Sequence, residues 1–392
     1  MAKKEIYLDN SATTRICEEA LKEYNRVSLY CFGNPSSLHA YGHTAELELK
    51  RAREAVRGSL SSKNCEVIFT ASGSEANNLA IFGRIKSKDR YKSGKKIITT
   101  DGEHASVNEP LERLKERGLR IVRIPTVNGV LDEDTLIREL DCNTVLVTMM
   151  LVNNETGAVY NIPRVASLMH NKCPDGVLHV DATQGYLKIP FSMTQLGADM
   201  ITISSHKIEG PKGVGVLAIS SDLIKRRGIS PIIYGGGQEG GMRSGTENVP
   251  GIAAFGEAVR IGAEKAPQRA KKTESLRSYL IEKLSSSEEL KKISPTLPKV
   301  HAPHIINLTM PDIKSETMLH FLSSEGIFVS SGSACSSNTS HISSALTAYG
   351  RTNDEAACSI RVSFSHINER EDVDALCRAL EAGIARLAKI KK

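Results

Sequence analysis

Residues 177–207 read VLHVDATQGYLKIPFSMTQLGADMITISSHK and contain two short apolar runs separated by a longer segment of mixed character. The runs VLHVD (177–181) and MITIS (200–204) have the length and β-branched content of buried strands. A charged residue marks the end of each run: Asp181 closes the first, and Lys207 follows the second by three positions. The pattern predicts two strands of one sheet with ionisable side chains at their carboxyl ends.

The same pattern repeats on both sides of this segment, with helix-like stretches between most of the apolar runs. Alternation of short strands with longer amphipathic stretches predicts an α/β fold, in which helices cover both faces of a mostly parallel sheet. The further strand candidates are EVIFT (66–70), KIITT (96–100), RIVRIP (120–125), TVLVTMMLVN (144–153) and GVGVLAIS (213–220).

The alternation fades after the glycine-rich segment 234–248, and this change indicates a second domain. A chain of 392 residues is also longer than one hydrophobic core usually supports. A long helix-like segment, 251–286, leads into the remaining part, which suits a small α+β domain. Its strand candidates are 304–310, 326–332 and 359–365, and a closing helix is predicted over 371–392.

The composition argues against a membrane or nucleic-acid partner. No run approaches the ~18 consecutive apolar residues that a membrane span requires, and the N-terminal MAKKEIYLDN lacks the apolar run of a secretory signal. We therefore predict a cytoplasmic protein. The net charge is +6, but the Lys and Arg residues are scattered and interleaved with acidic residues. Only 5% of residues are aromatic and Trp is absent, which leaves little for base stacking. Direct nucleic-acid binding is therefore not expected.

The eight cysteines are widely spread, with no Cys-x-x-Cys pair and no nearby histidine at zinc-ligand spacing. We expect no metal site, and we expect reduced thiols rather than a disulfide framework. Cys335 differs from the others because it lies in SSGSACSSN (330–338), a run of small residues that neither buries nor pairs a thiol. It is the candidate for a reactive cysteine, against the alternative of an incidental free thiol.

Ligands of open α/β sheets bind beyond the carboxyl ends of the strands, so the residues there are the first site candidates. Gly73 and Ser74 follow EVIFT at the start of a helix-like stretch, which favours either a phosphate or a simple N-cap. His104 follows KIITT and suits stacking on a flat cofactor or proton transfer, unless it is structural. Asn154 follows the 144–153 run, as a carboxylate or ring-oxygen ligand or as a turn residue.

The two residues of the opening segment complete the set. Asp181 requires a cationic partner such as a protonated ring nitrogen, or it caps the next helix. Lys207 ends an apolar strand, where partial burial lowers the pKa of an amine that attacks carbonyls, and Lys212 in the Pro-Lys-Gly turn is the poorer candidate. An aspartate for a pyridinium, an aldehyde-binding lysine and a phosphate seat together predict pyridoxal 5'-phosphate as cofactor.

Ten segments resemble the cysteine desulfurases of the class V aminotransferase family, in order and nearly from end to end. The resemblance implies the aspartate aminotransferase fold type (fold type I), with a large, mostly parallel seven-stranded sheet domain and a smaller α+β C-terminal domain. The segments are YLDNSATT, NPSSLHAYG, FTASGSEANNLA, GEHASV, VNNETG, HVDATQ, SSHKIEGPKGVG, GGGQEGGMRSGTEN, SSGSACSS and SIRVSFS.

The resemblance implies a homodimer that removes sulfur from L-cysteine and leaves L-alanine. It divides the chain into residues 1–15, which pack with the small domain, a large cofactor-binding domain over 16–255, and a small domain over 256–392 that carries the Cys335 loop. The sulfur would pass to an acceptor protein, such as a scaffold for iron–sulfur clusters. Selenocysteine lyase and aminotransferase remain alternative activities of the same fold, and a basic nucleic-acid-binding or scaffold protein is the alternative of another class.

The resemblance also assigns roles to cofactor-binding residues. Lys207 would hold the cofactor covalently, and Asp181 would pair with the ring nitrogen. Gln184 would bond the ring oxygen and His104 would stack on the ring. The phosphate would be bound by Gly73, Ser74, Ser204 and His206, and by Thr246 from the other subunit.

Asn154 and Arg361 would bind the substrate carboxylate, although Arg361 also suits a structural ion pair. The resemblance places Cys335 on a mobile loop, where its thiolate would take the sulfur as a persulfide. His104 and Lys207 are both candidate proton donors. The chain departs from the family at Ser74, where many relatives have threonine, at Glu209, where aromatic residues are common, and over 338–352, so the choice of acceptor stays open.

Overall fold

The computed structural model describes residues 5–62, 64–87, 94–331 and 342–387. Its strands are β1 (Ile6–Tyr7), β2 (Cys65–Thr70), β3 (Lys96–Thr100), β4 (Arg120–Ile124), β5 (Thr144–Met150), β6 (Val177–Asp181), β7 (Met200–Ser204), β8 (Gly215–Ser220), β9 (Ser294–Pro295), β10 (Ile305–Thr309), β11 (Ile327–Phe328), β12 (Ser330–Ser331) and β13 (Ser359–Ser363).

The helices alternate with the strands in the first two thirds of the chain. They are α1 (Glu18–Tyr30), α2 (Ala40–Ser59), α3 (Gly73–Lys86), α4 (Ala105–Glu116), α5 (Glu133–Glu139), α6 (Ile162–Lys172), α7 (Met193–Leu196), α8 (Ser221–Lys225), α9 (Val249–Lys283), α10 (Ser315–Ser324), α11 (Ser344–Tyr349), α12 (Asn353–Ala357) and α13 (Arg370–Leu387). Short 3-10 helices occur at Val127–Gly129, Ser205–Lys207, Glu239–Gly241 and Leu290–Lys292.

A seven-stranded sheet in the order β2-β8-β7-β6-β5-β3-β4 forms the centre of the molecule. The five strands from β7 to β4 run parallel, and β8 is antiparallel to both of its neighbours. This arrangement confirms the predicted α/β class and the mostly parallel sheet. All seven predicted strands form, within two residues of their expected starts.

Helices cover both faces of this sheet, because successive residues of its strands enter two different cores. Ile98 and Val147 belong to one buried cluster, whereas their chain neighbours Ile97 and Leu146 belong to another. Helices α1, α2 and α9 pack together beside the first cluster, and α3 packs against α4 and β8 in the second. The two-residue periodicity of strands explains why these runs are apolar throughout.

The C-terminal part forms a four-stranded antiparallel sheet in the order β12-β13-β10-β9, with its own buried cluster. Ile6 and Leu8 join that cluster, and β1 pairs in parallel with β11. Helix α9 runs without interruption from 249 to 283, across the predicted boundary near residue 256. The division into 1–15, 16–255 and 256–392 therefore stays a prediction.

Most strand predictions agree with the structure to within two residues at each end, and two of them differ by more. The 144–153 run leaves the sheet after Met150, because Asn153 accepts hydrogen bonds from the backbone of Glu155 and Thr156 and forms a turn. The 326–332 run contains two strands, since β11 pairs with β1 and β12 pairs with β13. Within the described parts of the chain, no helix combines the length and apolar character that crossing a membrane requires.

Candidate active site

A cavity of about 340 Å³ opens at the carboxyl ends of the parallel strands. Strands β3, β5, β6 and β7 each lead a predicted site residue to its wall: His104, Asn154, Asp181 and Lys207 respectively. Parallel strands bring their carboxyl ends to one edge of a sheet, so residues far apart in sequence meet there. The other predicted residues that line this cavity are Gly73, Ser74, Gln184, Ser204, His206 and Arg361.

Lys207 ends the short 3-10 helix that follows β7. Its Nζ donates to the backbone oxygens of Ser11 at 2.7 Å and Ala12 at 2.6 Å. Gln184 is buried beside it, and its Nε2 donates to the same Ser11 oxygen at 2.9 Å. The N-terminal segment therefore positions the side chains of Gln184 and Lys207, which follow strands β6 and β7.

Asp181 is 7% exposed at the end of β6, and its carboxylate is held from two sides. Asn77 Nδ2 donates to Oδ2 at 2.8 Å, and the Thr183 amide donates to Oδ1 at 3.0 Å. The alternative that Asp181 caps the next helix is wrong, because residues 183–188 form turns and Ser192 caps α7. A buried, oriented carboxylate facing a cavity is suited to a cationic partner there.

His104 lies at the N-cap of α4, and its Nδ1 accepts a hydrogen bond from the Ser106 amide at 3.1 Å. Burial lowers the pKa of His104, and the positive charges of Lys207 and Arg361 lower it further against the opposing effect of Asp181. The imidazole is therefore neutral at neutral pH, with its proton on Nε2. Such a ring is suited to stacking and to proton transfer.

The first turn of α3 supplies the phosphate-seat candidates. Ser72 caps the helix by accepting from the Glu75 amide at 3.1 Å, so the simple N-cap interpretation is confirmed. The same helix start borders the cavity through Gly73 and Ser74. A Cβ at Gly73 would lie 3.1 Å from the Ser204 Cβ, which shows how closely the two backbones approach. Capping and anion binding are compatible, because several N–H groups of a first turn have no partner within the helix.

His206 completes this side of the cavity. Its Nδ1 lies 3.1 Å from Thr13 Oγ1. Burial and the positive charges of Lys207 and Lys212 together lower its pKa to about 4. The imidazole is neutral over the physiological range. It therefore offers a hydrogen bond, rather than a charge, to an anion in the cavity.

Arg361 reaches the cavity from β13, which belongs to the other sheet. Its Nη1 donates to the backbone oxygen of Asn154 at 2.9 Å, and its Nη2 forms an ion pair with Asp9 Oδ1 at 2.9 Å. The predicted structural ion pair is thus present. Arg361 Nε, however, is buried and has no partner among the described residues, so a donor remains for an anionic ligand.

One predicted residue lies outside this cavity. Thr246 is exposed and borders a separate cavity of about 100 Å³ with Glu239 and Arg243. Its contact with a phosphate in another subunit stays a prediction. Cys335 lies outside the described residues, which include no position between 331 and 342.

The sequence interpretation missed residues that orient the site. Ser11 and Asn77 lie in segments that carried the resemblance, but short polar residues in such segments suit too many roles to be singled out. Glu103 was missed beside His104; burial raises its pKa to about 8, and it accepts from Thr100 Oγ1 at 2.6 Å and from the Met150 amide at 3.0 Å. In the described ranges, no three His, Cys, Asp or Glu side chains cluster as metal ligands.

Comparisons with known proteins agree with this geometry. Residues 6–376 match the family model Aminotransferase class-V. A cysteine desulfurase IscS from Dictyoglomus turgidum is 35% identical over 99% of this chain and 96% of its own length. Cysteine desulfurase IscS 1 from Archaeoglobus fulgidus is 34% identical over 97% of both chains. A solved structure of a NifS-like protein superposes with a TM-score of 0.88 at 33% identity, covering 97% of this chain and 100% of its own.

Proposed function

The chain belongs to the class V aminotransferase family and is an enzyme of the cysteine desulfurase type, and on this premise we propose how its site works. The 340 Å³ cavity binds pyridoxal 5'-phosphate, and the enzyme removes sulfur from L-cysteine to leave L-alanine. One observation carries the proposal: Lys207, Asp181, His104 and the start of α3 all border the same cavity. The alternatives of an aminotransferase or selenocysteine lyase share that cavity and are separated by the test below.

The residues of the cavity fit this cofactor by their chemistry. The first turn of α3 offers N–H groups to a phosphate, and the close approach of Gly73 to Ser204 leaves that end free of bulky side chains. The buried Asp181 carboxylate suits a ring nitrogen that carries a proton. The Lys207 amine suits an aldehyde, because the cavity wall presents it at the end of an apolar strand.

Pyridoxal phosphate supplies a sink for electrons from the α-carbon of a bound amino acid. With the cofactor bound, Lys207 Nζ would be the base that accepts the proton from this carbon, and Asp181 would favour the protonated form of the ring nitrogen. His104, neutral and fixed by Ser106, is positioned to stack and to move a proton at its Nε2. These roles require the residues to act together, so the loss of any one of them slows turnover.

Cys335 takes the sulfur in this proposal. Its thiolate attacks the sulfur of L-cysteine, a sulfur–sulfur bond forms and the bond from Cβ to sulfur breaks. The electron pair of the broken bond stays with Cβ, which takes up a proton as L-alanine forms. Ser331 lines the cavity and Cys335 follows it by four positions, so chain length alone keeps their Cα atoms within about 14 Å. The persulfide on Cys335 then passes to an acceptor protein, such as a scaffold for iron–sulfur clusters.

The first test is the visible spectrum of the purified protein with pyridoxal phosphate, before and after L-cysteine is added, with alanine and sulfide measured in parallel. A band that changes on addition, with alanine formed, supports the proposal. A protein that binds the cofactor but transfers amino groups without making alanine from cysteine is an aminotransferase. Higher turnover of L-selenocysteine than of L-cysteine would favour the lyase. A colourless protein that binds no cofactor would contradict the whole proposal.

Arg361 is expected to set the affinity for the substrate carboxylate. We predict that Arg361→Gln raises the KM for L-cysteine by about 10–100-fold, because hydrogen bonds to charged groups contribute roughly 1.5–3 kcal/mol each. The matched control is Asp9→Asn, which removes the ion pair but keeps the guanidinium. If Arg361 is only structural, both variants will lower thermal stability alike and neither will change KM.

We also propose a homodimer, supported by an exposed apolar patch of residues from Leu29 to Tyr41. Phe32 is 67% exposed, its ring centroid is 5.1 Å from that of Tyr41, and Leu29, Tyr30 and Leu38 are exposed nearby in the sequence. Contiguous apolar surface of this kind marks protein interfaces.

Phe32→Asp is expected to convert the dimer to a monomer, because it places a charge in an apolar interface. Light scattering after size-exclusion chromatography measures the mass, and Val127→Asp, at another exposed apolar position, is the control. A wild-type monomer, or an unchanged dimer in the Phe32 variant, would contradict this use of the patch.

A further inference from the structure

A second cavity, of about 60 Å³, lies next to the site and shares Lys207 with it as a wall. Its lining includes Lys188, which no function described above uses. The other ionisable groups of this lining are Glu209, Arg269, His304 and His366. Lys188 is half-buried, and an ammonium that loses part of its hydration is costly unless it has partners.

Lys188 is connected to the active site through one side chain. Its Nζ donates to Gln184 Oε1 at 3.4 Å, and Gln184 Nε2 donates to the Ser11 oxygen at 2.9 Å. The same Ser11 oxygen accepts from Lys207 Nζ at 2.7 Å. Lys188, Gln184, Ser11 and Lys207 thus form one continuous chain of contacts between the two cavities.

These contacts fix which end of the Gln184 amide faces each neighbour. The Ser11 carbonyl only accepts, so the amide nitrogen must face it, and an ammonium only donates, so the amide oxygen must face Lys188. The nitrogen carries a second N–H, and Gln184 lines the larger cavity. Without Lys188, the amide oxygen would lose the donor that holds it.

We propose that Lys188 is a positioning residue: it holds the Gln184 amide so that an N–H group is directed to the ring oxygen of the bound cofactor. This inference rests on the proposed function, because it requires pyridoxal phosphate in the larger cavity. Lys188 also places a titratable positive charge near Lys207, and it thereby makes the cofactor site sensitive to pH.

The surroundings support a charge that changes near neutral pH. Loss of hydration and the positive charges of Lys207 and Arg361, opposed by Glu209, together lower the pKa of Lys188 to about 7. Glu209 does not form a close pair with Lys188; its carboxylate accepts from Arg269 at 3.0 Å and from His366 at 2.9 Å. The pKa of buried His304 is lowered by burial, so it adds no charge at neutral pH. Below pH 7 the Lys188 ammonium therefore donates to Gln184 Oε1, and above pH 7 the loss of its charge weakens this hydrogen bond.

The test uses Lys188→Met and Lys188→Arg in the complete chain, with pyridoxal phosphate as the probe. Lys188→Met is expected to raise the Kd for the cofactor about 5-fold, since one hydrogen bond contributes about 1 kcal/mol and about 1.4 kcal/mol is a factor of ten. Lys188→Arg is expected to restore the Kd to within about 3-fold of wild type, because it keeps a donor.

The decisive readout is the pH titration of the visible band of the bound cofactor. A permanent charge in Lys188→Arg disfavours a proton at the Lys207 nitrogen and lowers the midpoint, whereas Lys188→Met raises it. Lys96→Met is the control, since Lys96 is also buried, pairs with Asp141 at 2.8 Å and lines neither cavity. A merely structural role would not move the midpoint in opposite directions.

The outcomes separate this inference from the proposed function. If wild type binds no cofactor, the proposed function fails and this inference fails with it. If wild type binds cofactor and both Lys188 variants keep its Kd and midpoint, or shift the midpoint in the same direction, only the inference is overturned. If Lys188→Met does not fold, the pH midpoint of Lys188→Arg still tests the inference: a lowered midpoint supports it and an unchanged or raised midpoint overturns it.

Discussion

Lys207→Ala is expected to lose turnover of L-cysteine by at least about 10⁴-fold while the protein stays folded. General acid–base catalysis alone contributes about 10²–10⁴-fold, and Lys207 is also the covalent attachment point of the cofactor in our proposal. The variant should still bind pyridoxal phosphate, because Asp181, His104 and the first turn of α3 remain. It should bind reversibly, so dialysis removes the cofactor and the visible band of the wild type is absent.

The folded state of this variant is expected to be only slightly less stable. Removal of the Lys207 side chain leaves the backbone oxygens of Ser11 and Ala12 without this donor. We expect this to lower the free energy of unfolding by about 1–3 kcal/mol and Tm by a few degrees. Lys212→Ala is the matched control, since Lys212 is an exposed lysine five residues further on, and it should retain the activity and spectrum of wild type. Activity of the Lys207 variant above about 1% would assign both the base and the attachment point to another residue.

The fold could be predicted from the sequence because its central strands are buried on both sides. VLHVD (177–181) and MITIS (200–204) are mostly apolar in sequence. Both are strands with those same bounds, and they are buried over their whole length. The strands within residues 326–332 could not be separated from the sequence, because the run has the composition of one strand but contributes a strand to each of two sheets. The pairing of a short strand depends on contacts with residues that are distant in sequence.

The site could be predicted to the extent that its residues follow strands. His104, Asn154, Asp181 and Lys207 each stand after an apolar run, so the parallel order of the strands brings them together. Ser11, Asn77 and Lys188 have no such position, and their roles depend on hydrogen bonds that only the folded chain shows. The carboxylate of Glu209 is engaged by Arg269 and His366, and these contacts likewise appear only in the folded chain.

Taken together, the two cavities explain how one lysine is held without being buried completely. Lys207 lies between them, and the backbone oxygens of Ser11 and Ala12 accept hydrogen bonds from its nitrogen. These two bonds restrain the amine at the wall that both cavities share.

Cys335→Ser is expected to abolish persulfide formation and to lower alanine release by at least about 10³-fold, while cofactor binding is unchanged. A hydroxyl at this position has neither the nucleophilicity of a thiolate nor its ability to form a bond with sulfur. The visible band and its response to L-cysteine should persist, because the residues that bind cofactor and substrate in our proposal are retained. Mass spectrometry of the intact protein after a single addition of L-cysteine measures the added sulfur atom.

Cys142→Ser is the control for this experiment, because Cys142 is an exposed free cysteine that lines neither the active-site cavity nor the one beside it. It should accept sulfur on Cys335 and release alanine as wild type does. If the Cys335 variant releases alanine at the wild-type rate, sulfur leaves without a protein thiol, and the persulfide step must be withdrawn while the cofactor site stands. If instead the band no longer responds to L-cysteine, Cys335 contributes to substrate binding, and its role precedes sulfur transfer.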